Sequence, residues 1–376
     1  MLYIILVFIC ILYVILIICF YLGFDKVPNF EEKSSSTKTK FSIVIPFRNE
    51  VLNLPPLLDS ISLFHYDNNM YEFIFVDDNS TDNSVKKIEQ CINNSNKDIR
   101  IIKNDRTTSS PKKDAITSAI KIAKYDWIIT TDADCILPKF WLDTFNCYIQ
   151  KNNPKMIVAP VAYYNSIESF LKRFQVLDFL SLMGATIGGF GINKPFLCNG
   201  ANLAYTKELF INVNGFNGNT NIASGDDIFL MEKALQTDKN AIHYLKAKSS
   251  IVLTQPQPSW RLLISQRKRW AAKTSNYNSV FGKLVGLIVL FMNASIVISL
   301  FLAVLNIINW PLFIFIFILK LLSDFALLYK TSRFFNQEKY LYSFFASALI
   351  YPLFSVYIAF ISMFTSYKWK DRRFNK

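Results

Sequence analysis

The chain has 376 residues, of which 52% are hydrophobic and 18% charged, too apolar for a disordered chain and more apolar than most soluble domains. With 11 Gly and 13 Pro it is neither collagen-like nor low-complexity. Lys and Arg outnumber Asp and Glu 41 to 28, a net charge of +13, yet the basic residues form no nucleic-acid motif. They gather beside apolar segments instead.

Residues 2–22 carry no charge, and about 21 apolar residues suffice to cross roughly 30 Å of hydrocarbon. A signal peptide would need a basic start and a small-residue cleavage site, and neither is present, so 1–23 reads as an uncleaved anchor. No Lys or Arg precedes it, whereas Lys33, Lys38 and Lys40 follow in the linker 24–40. The N-terminus is expected outside and the next domain inside.

From 41 to about 255 the pattern alternates strand and helix. Strands are expected at 41–46, 72–76, 99–103, 127–131 and 156–160, with helices near 57–64, 84–92 and 114–123. Such βα alternation with continuous apolar strands predicts an α/β domain, a mostly parallel sheet with helices on both faces. Ligands bind such sheets beyond the carboxyl ends of the strands. A basic amphipathic stretch, Trp260 to Lys273 within 256–280, then leads into a membrane region, 281–366. That region holds three apolar segments, 284–307, 309–329 and 342–365. The tail 367–376 is basic, with Lys368, Lys370, Arg372, Arg373 and Lys376. Four full crossings would leave this tail outside, against the positive-inside preference; either one segment lies in the interface or the rule fails here. Lys320 and Asp324, four residues apart inside an apolar segment, either pair with each other or mark a partly interfacial helix. The six cysteines show no metal spacing and read as reduced thiols facing cytosol. His65 and His243 read as satisfied surface or core histidines.

Acidic motifs fall at the strand ends. Asp77 and Asp78 end the second strand, where carboxylates can accept from a ribose hydroxyl or a base N–H; Ser80 or Asp82 could equally cap the next helix. Asp132 and Asp134 follow the fourth strand and can share Mg²⁺ or Mn²⁺ with a diphosphate. Asp226 and Asp227 open a helix, where the dipole favours them in any case, and one of them can serve as a general base. In Gln266-Arg267-Lys268-Arg269-Trp270, Arg269 suits a diphosphate and Trp270 an apolar or sugar-stacking wall; a lipid-anchored helix is the plainer reading. Asn199 and Gly200 lie in a turn whose glycine allows close backbone approach, and Lys112 lies at a helix start near the same strand edge.

Taken in order, PFRNE (46–50), VDDNSTD (76–82), PKKDAI (111–116), DAD (132–134), NGAN (199–202), GDD (225–227) and QRKRW (266–270) resemble the family 2 glycosyltransferases of GT-A fold. The likeness is to the membrane-embedded branch that includes cellulose, chitin and hyaluronan synthases and the ceramide glucosyltransferase-like enzymes, and it covers about residues 41–275. It implies an inverting, metal-dependent transfer from a nucleotide sugar, most commonly a UDP-sugar. Pro46, Glu50 and Asp78 would surround the nucleotide base with Asp77 nearby. Lys112 matches the Lys of the family's GK-x-x-AL stretch, here with Pro111 in place of Gly. Asp132 would contact the donor and Asp134 the metal. Asp227 matches the catalytic base of the ED motif, with Asp226 where Glu is usual. Gln266, Arg269 and Trp270 match QxxRW, with Gln266 and Arg269 toward the donor. Trp270, Asn199 and Gly200 stand as acceptor contacts.

The leading expectation is a transferase acting on a lipid or glycan acceptor at the cytoplasmic face of a bacterial inner membrane or its equivalent, with no nucleic-acid partner. A processive polysaccharide synthase is the runner-up, although polymer export usually needs more helices than three C-terminal segments. A scaffold with a decayed domain would not keep the full carboxylate set. A nucleotidyltransferase would leave QxxRW unexplained, and a transporter would leave the soluble domain so.

Overall fold

The computed structural model describes all residues except 32–34, 94, 165–168, 223, 274–275, 366, 370–371 and 375–376. Lys33, Lys370 and Lys376 of the basic flanks therefore lie outside the described residues. The chain opens with α1 (Leu2–Lys26), four residues longer than the segment 2–22. There follow β1 (Phe41–Phe47), α2 (Leu54–Ser62), β2 (Tyr71–Asp77), α3 (Ser84–Asn93), β3 (Ile99–Lys103), α4 (Pro111–Ile122), β4 (Trp127–Thr130), α5 (Trp141–Asn152), β5 (Met156–Val158) and β6 (Val161–Tyr163). Next come α6 (Phe170–Gly191), β7 (Leu203–Thr206), α7 (Lys207–Asn212), α8 (Asp226–Thr237), β8 (Ile242–Tyr244), β9 (Val252–Thr254) and α9 (Trp260–Ala272). Last are α10 (Val280–Val304), α11 (Trp310–Phe335), α12 (Phe344–Phe364) and a hairpin of β10 (Tyr367–Trp369) and β11 (Arg372–Phe374).

Seven strands form the main sheet in the order β3-β2-β1-β4-β7-β5-β8. It is mostly parallel, as the continuous apolar runs require of strands buried on both faces. β7 runs antiparallel to both β4 and β5. That reversal brings the turn ahead of β7 to the carboxyl end of β4, beside Asp132. Pro46 interrupts nothing in the central strand. Val44 accepts from Thr131 on the β4 side, but β4 pairs only with residues 41–44 of β1, so the N–H that Pro46 lacks faces a gap in the ladder.

Between 160 and 199, where α6 lies, the sequence leads one to expect only a strand running into Asn199; the strand, β7, instead follows that turn. Gly184, Gly188, Gly189 and Gly191 make that stretch read as loop. A helix apolar on nearly every side is one that neighbours cover. Here α1 and α11 pack on its C-terminal half. A Cβ on Gly188 would stand 2.5 Å from the Phe20 carbonyl oxygen, and Gly23 and Gly191 are closed off in the same way. The two backbones therefore touch, as small residues permit at membrane helix crossings.

Three further contacts fasten the anchor. Lys246, buried below β8, donates to the carbonyls of Phe24 (2.8 Å) and Val27 (3.1 Å) at the end of α1 and sits over the Phe24 ring. Burial pushes its ammonium down to about 8. Lys330 of α11 bonds the Tyr21 carbonyl (3.0 Å) and Asp25 (2.6 Å). Within the apolar layer Lys320 pairs with Asp324 at 2.6 Å, as their spacing predicts, and Tyr13 of α1 donates to the other Asp324 oxygen at 2.6 Å. Removing one member of such a buried pair typically costs about 3–5 kcal/mol.

Among the described residues five helices are long and apolar enough to cross a membrane: α1, α6, α10, α11 and the helical stretch ending in α12. Most of α6 is buried inside the protein. α12 contains Pro352. Its Phe354 ring meets Phe174 of α6 at 5.2 Å and Trp260 of α9 at 6.3 Å. β10 then packs on α9. The last apolar helix thus brings the tail back to α9.

Gly188→Ala is expected to destabilise the protein by about 1–3 kcal/mol, the usual cost of overpacking. Gly286→Ala, where a Cβ meets nothing within 4 Å, should be neutral. Thermal unfolding in detergent checks the pair, and equal midpoints would mean that α1 and α6 are not in backbone contact.

Candidate active site

Acidic side chains gather beyond the carboxyl ends of β1, β2 and β4. Asp132 follows β4, and Asp226 and Asp227 form the first turn of α8 behind Gly225, whose φ of +85° favours glycine. Lys112, in the first turn of α4, reaches both sets: its Nζ is 2.8 Å from Asp132 and 3.2 Å from Asp226. Burial opposes its charge, but the Asp132 and Asp226 carboxylates hold it protonated above the ordinary lysine range. Its neighbour Lys113 turns away, donating to the Asn219 and Ile222 carbonyls, and burial pushes it down to about 8.

Asp227 accepts from the Gly200 N–H (3.1 Å) and the Ile228 N–H (2.8 Å). Lys273, which ends α9, lies 3.6 Å from its other side. Burial alone would push this carboxyl up. The Lys273 and Lys112 ammonium groups and the two N–H groups outweigh it and hold Asp227 below the ordinary carboxylate value. Gly200 has no room for a side chain: a Cβ there would stand 2.9 Å from the Asp226 Oδ2 and 3.3 Å from Lys112. Thr130 fixes the same turn by donating to the Gly200 carbonyl at 3.0 Å, and the Asn199 side chain accepts from Ala201. Gly200 thus lets the β7 turn approach the Asp226 and Asp227 carboxylates.

The β1 and β2 ends form a second cluster. Both Asp78 oxygens are taken by Arg106, at 2.6 and 2.9 Å, and Asn104 adds a third bond at 2.8 Å. Arg48 donates to the Asp78 carbonyl. Asp77 accepts from the Ser80 N–H, and Glu50 accepts from the Asn53 side chain at 2.6 Å. Asp82 bonds the Ser84 and Val51 N–H groups, the capping role that the sequence allows. Pro46 ends the same edge. Arg48, Asn104 and Arg106 are absent from the sequence reading because lone basic and amide residues in loops carry no spacing signal.

Asp134 is partly buried and accepts from the Thr254 hydroxyl at 3.4 Å. Among the described residues no three His, Cys, Asp or Glu side chains gather to hold a metal. The donor set of Asp132 and Asp134 nonetheless suits a hard cation that takes its remaining oxygens from phosphates and water.

α9 presents the last motif. Arg267 is buried and donates from Nε to Asp178 of α6 at 2.6 Å. It bonds Gln266 at 2.5 Å, and its guanidinium lies 4.2 Å from the Trp270 ring centre. Trp270 also meets Phe179 of α6. Arg269 is half-buried on the same helix. The sequence reading names Gln266, Arg269 and Trp270; the fold adds Arg267, Asp178 and Lys273. His65 and His243 bond Asp143 and the Asn240 carbonyl, apart from this site.

Known proteins resemble this chain in sequence pattern and in fold. A family model described as Glycosyl transferase family 2 matches residues 42–211, and one described as Glycosyl transferase family group 2 matches residues 127–369, more than half of the chain. An undecaprenyl-phosphate 4-deoxy-4-formamido-L-arabinose transferase of Proteus mirabilis is 40% identical over 97 residues, 25% of this chain; the match spans only 29% of that relative's length. The mannosyltransferase PcManGT from Pyrobaculum calidifontis, solved with GDP-Man and Mn²⁺, aligns at a TM-score of 0.59 and 14% identity. The alignment covers 94% of this chain and 99% of that one, a likeness of fold. S. aureus TarS 1–349, solved with UDP-GlcNAc, aligns at only 0.44 and 13% identity, over 90% and 97% of the two chains.

Lys273→Met should move the titration of Asp227 to higher pH, because burial then opposes ionisation with one fewer ammonium group against it. Carboxyl NMR of labelled aspartates measures this. An unmoved titration would mean that Lys273 does not set the charge of Asp227.

Proposed function

The chain belongs to the family 2 glycosyltransferases, and from that premise we propose that it transfers a sugar from a nucleotide diphosphate sugar to a lipid-linked acceptor at the membrane surface. One observation carries the reading: Asp132, Asp226 and Asp227 converge on Lys112 at the strand ends, and α9, which supplies Lys273, leads directly into α10. The P. mirabilis relative, named for undecaprenyl phosphate, supports a lipid acceptor.

In this reading Asp227 accepts the proton of the acceptor hydroxyl as that oxygen bonds the anomeric carbon. The bond from that carbon to the diphosphate breaks in the same step, so the configuration inverts. Asp227, ionised through its ammonium and N–H partners, is ready for the task without first losing a proton. Asp132 and Asp134 would hold a divalent cation, which supplies charge neutralisation for the departing diphosphate. Lys112 and Arg269 add positive charge on the same side, where it counts most in a site that excludes water. Asp78, Asp77, Glu50 and Pro46 would frame the base, with Arg106 setting the carboxylate of Asp78. Trp270, Asn199 and Gly200 would border the acceptor. The catalytic domain and the tail would both face the cytoplasm, α12 lying against α9 and not crossing fully.

The test is transfer from labelled UDP- and GDP-sugars to a native lipid extract, in membranes containing the chain, with Mn²⁺ or Mg²⁺. Label should enter the organic phase, and Asp227→Asn should lower transfer by about 10²–10⁴-fold. Label in a large water-soluble or insoluble product would favour the polysaccharide synthase, and transfer untouched by Asp227→Asn would remove the assigned base. A tag placed after Lys376 should resist protease in intact spheroplasts; cleavage there would put the tail on the opposite face.

A further inference from the structure

Four residues on one face of α6 hold α9 along its length. Phe174 meets Trp260 at 5.3 Å. Gln175 exchanges two bonds with Gln257 just ahead of α9, at 2.8 and 2.9 Å. Asp178 takes the Arg267 Nε at 2.6 Å, and Phe179 meets Trp270. The spacing 174, 175, 178, 179 is that of a single helical face. Only one of these contacts is ionic, and it is buried on both sides. A buried ion pair contributes little net stability against apolar residues of the same volume, so its presence asks for another reason.

The geometry beyond Asp178 supplies one. Arg267, once fixed by Asp178, bonds Gln266 and covers the face of Trp270. Two side chains of the QxxRW motif are therefore set by a guanidinium that Asp178 sets in turn. The Tyr351 hydroxyl of α12 stands against Asp178, and the Tyr163 hydroxyl against Arg267. We propose that Asp178 is a positioning residue of the transfer reaction: through Arg267 it orients Gln266 and Trp270 toward the substrates, and through Tyr351 it ties that orientation to the last apolar helix. This rests on the transferase reading for its kinetic consequence, but not for its geometric one.

The experiment therefore has two readouts. Fluorotryptophan is incorporated into the full chain in detergent, and the Trp270 resonance is identified with Trp270→Phe. Asp178→Asn should shift or broaden that resonance and spare those of Trp127 and Trp141 in the catalytic domain. In the transfer assay Asp178→Asn should lower kcat/KM for the acceptor by about 10–100-fold, the scale of a misplacement near 1 Å. Donor hydrolysis should fall by a smaller factor, through Gln266 alone, because Asp227 and the strand-end carboxylates are untouched. The double variant Asp178→Leu/Arg267→Met replaces the pair with apolar groups and leaves no unpaired buried charge. It should recover the melting temperature while acceptor use stays low. Recovery of acceptor use in the double variant would overturn the proposal, since Asp178 would then only neutralise Arg267. An unmoved Trp270 resonance in Asp178→Asn would also overturn it, whether or not the wild-type chain shows transfer. Absence of wild-type transfer beside a displaced Trp270 would count against the transferase reading and leave the positioning intact.

Discussion

The crossing of α1 and α6 is the constraint on which the rest of the molecule hangs. Backbone contact at Gly23, Gly188 and Gly191 leaves no room for a side chain between the two helices. A membrane offers no hydrophobic drive to hold one apolar helix to another, so close approach and a few polar bonds must do so. Lys246 at the end of α1, Lys330 beside Tyr21 and the Tyr13–Asp324–Lys320 cluster are those bonds. With its C-terminal half fixed this way, α6 presents its N-terminal half to α9. The anchor, the membrane helices and the motif helix are thus registered by one element.

The second organising fact is charge. Three carboxylates drawn together in a partly closed cleft would repel one another and resist ionisation if left alone. Lys112 bridges Asp132 and Asp226, and Lys273 faces Asp227. The ammonium groups come from different elements, α4 and the end of α9, so the cluster depends on the sheet and on α9 together. An ionised Asp227 and the two ammonium groups beside it are then consequences of one electrostatic balance. The Asp78–Arg106 pair repeats the arrangement at the neighbouring strand end.

Much of this was legible in the chain. Apolar runs located β1 to β5 to within a few residues, because a strand buried on both faces must be apolar throughout. The acidic pairs after β2 and β4 and in the first turn of α8 were visible as a group at one edge of the sheet, because parallel strands place their carboxyl ends there. The spacing of Lys320 and Asp324 offered a pair beside the interfacial alternative, and the fold made the pair. α6 was not legible: its glycines look like breakers until a second backbone is seen lying in the groove they leave. Asp178, Arg106 and Lys273 carried no signal either, since their partners lie 89, 28 and 46 residues away.

The sequence by itself determined the local patterns: which segments are apolar enough to be strands or membrane helices, and which chemistry stands at their ends. These depend only on the period and type of neighbouring residues. The tertiary structure alone decided which charges neutralise one another, which glycines are contacts and not turns, and where the last apolar helix leads. Those outcomes depend on distances between residues far apart in the chain, which the apolar pattern permits in several arrangements and which close packing around α6 reduces to one.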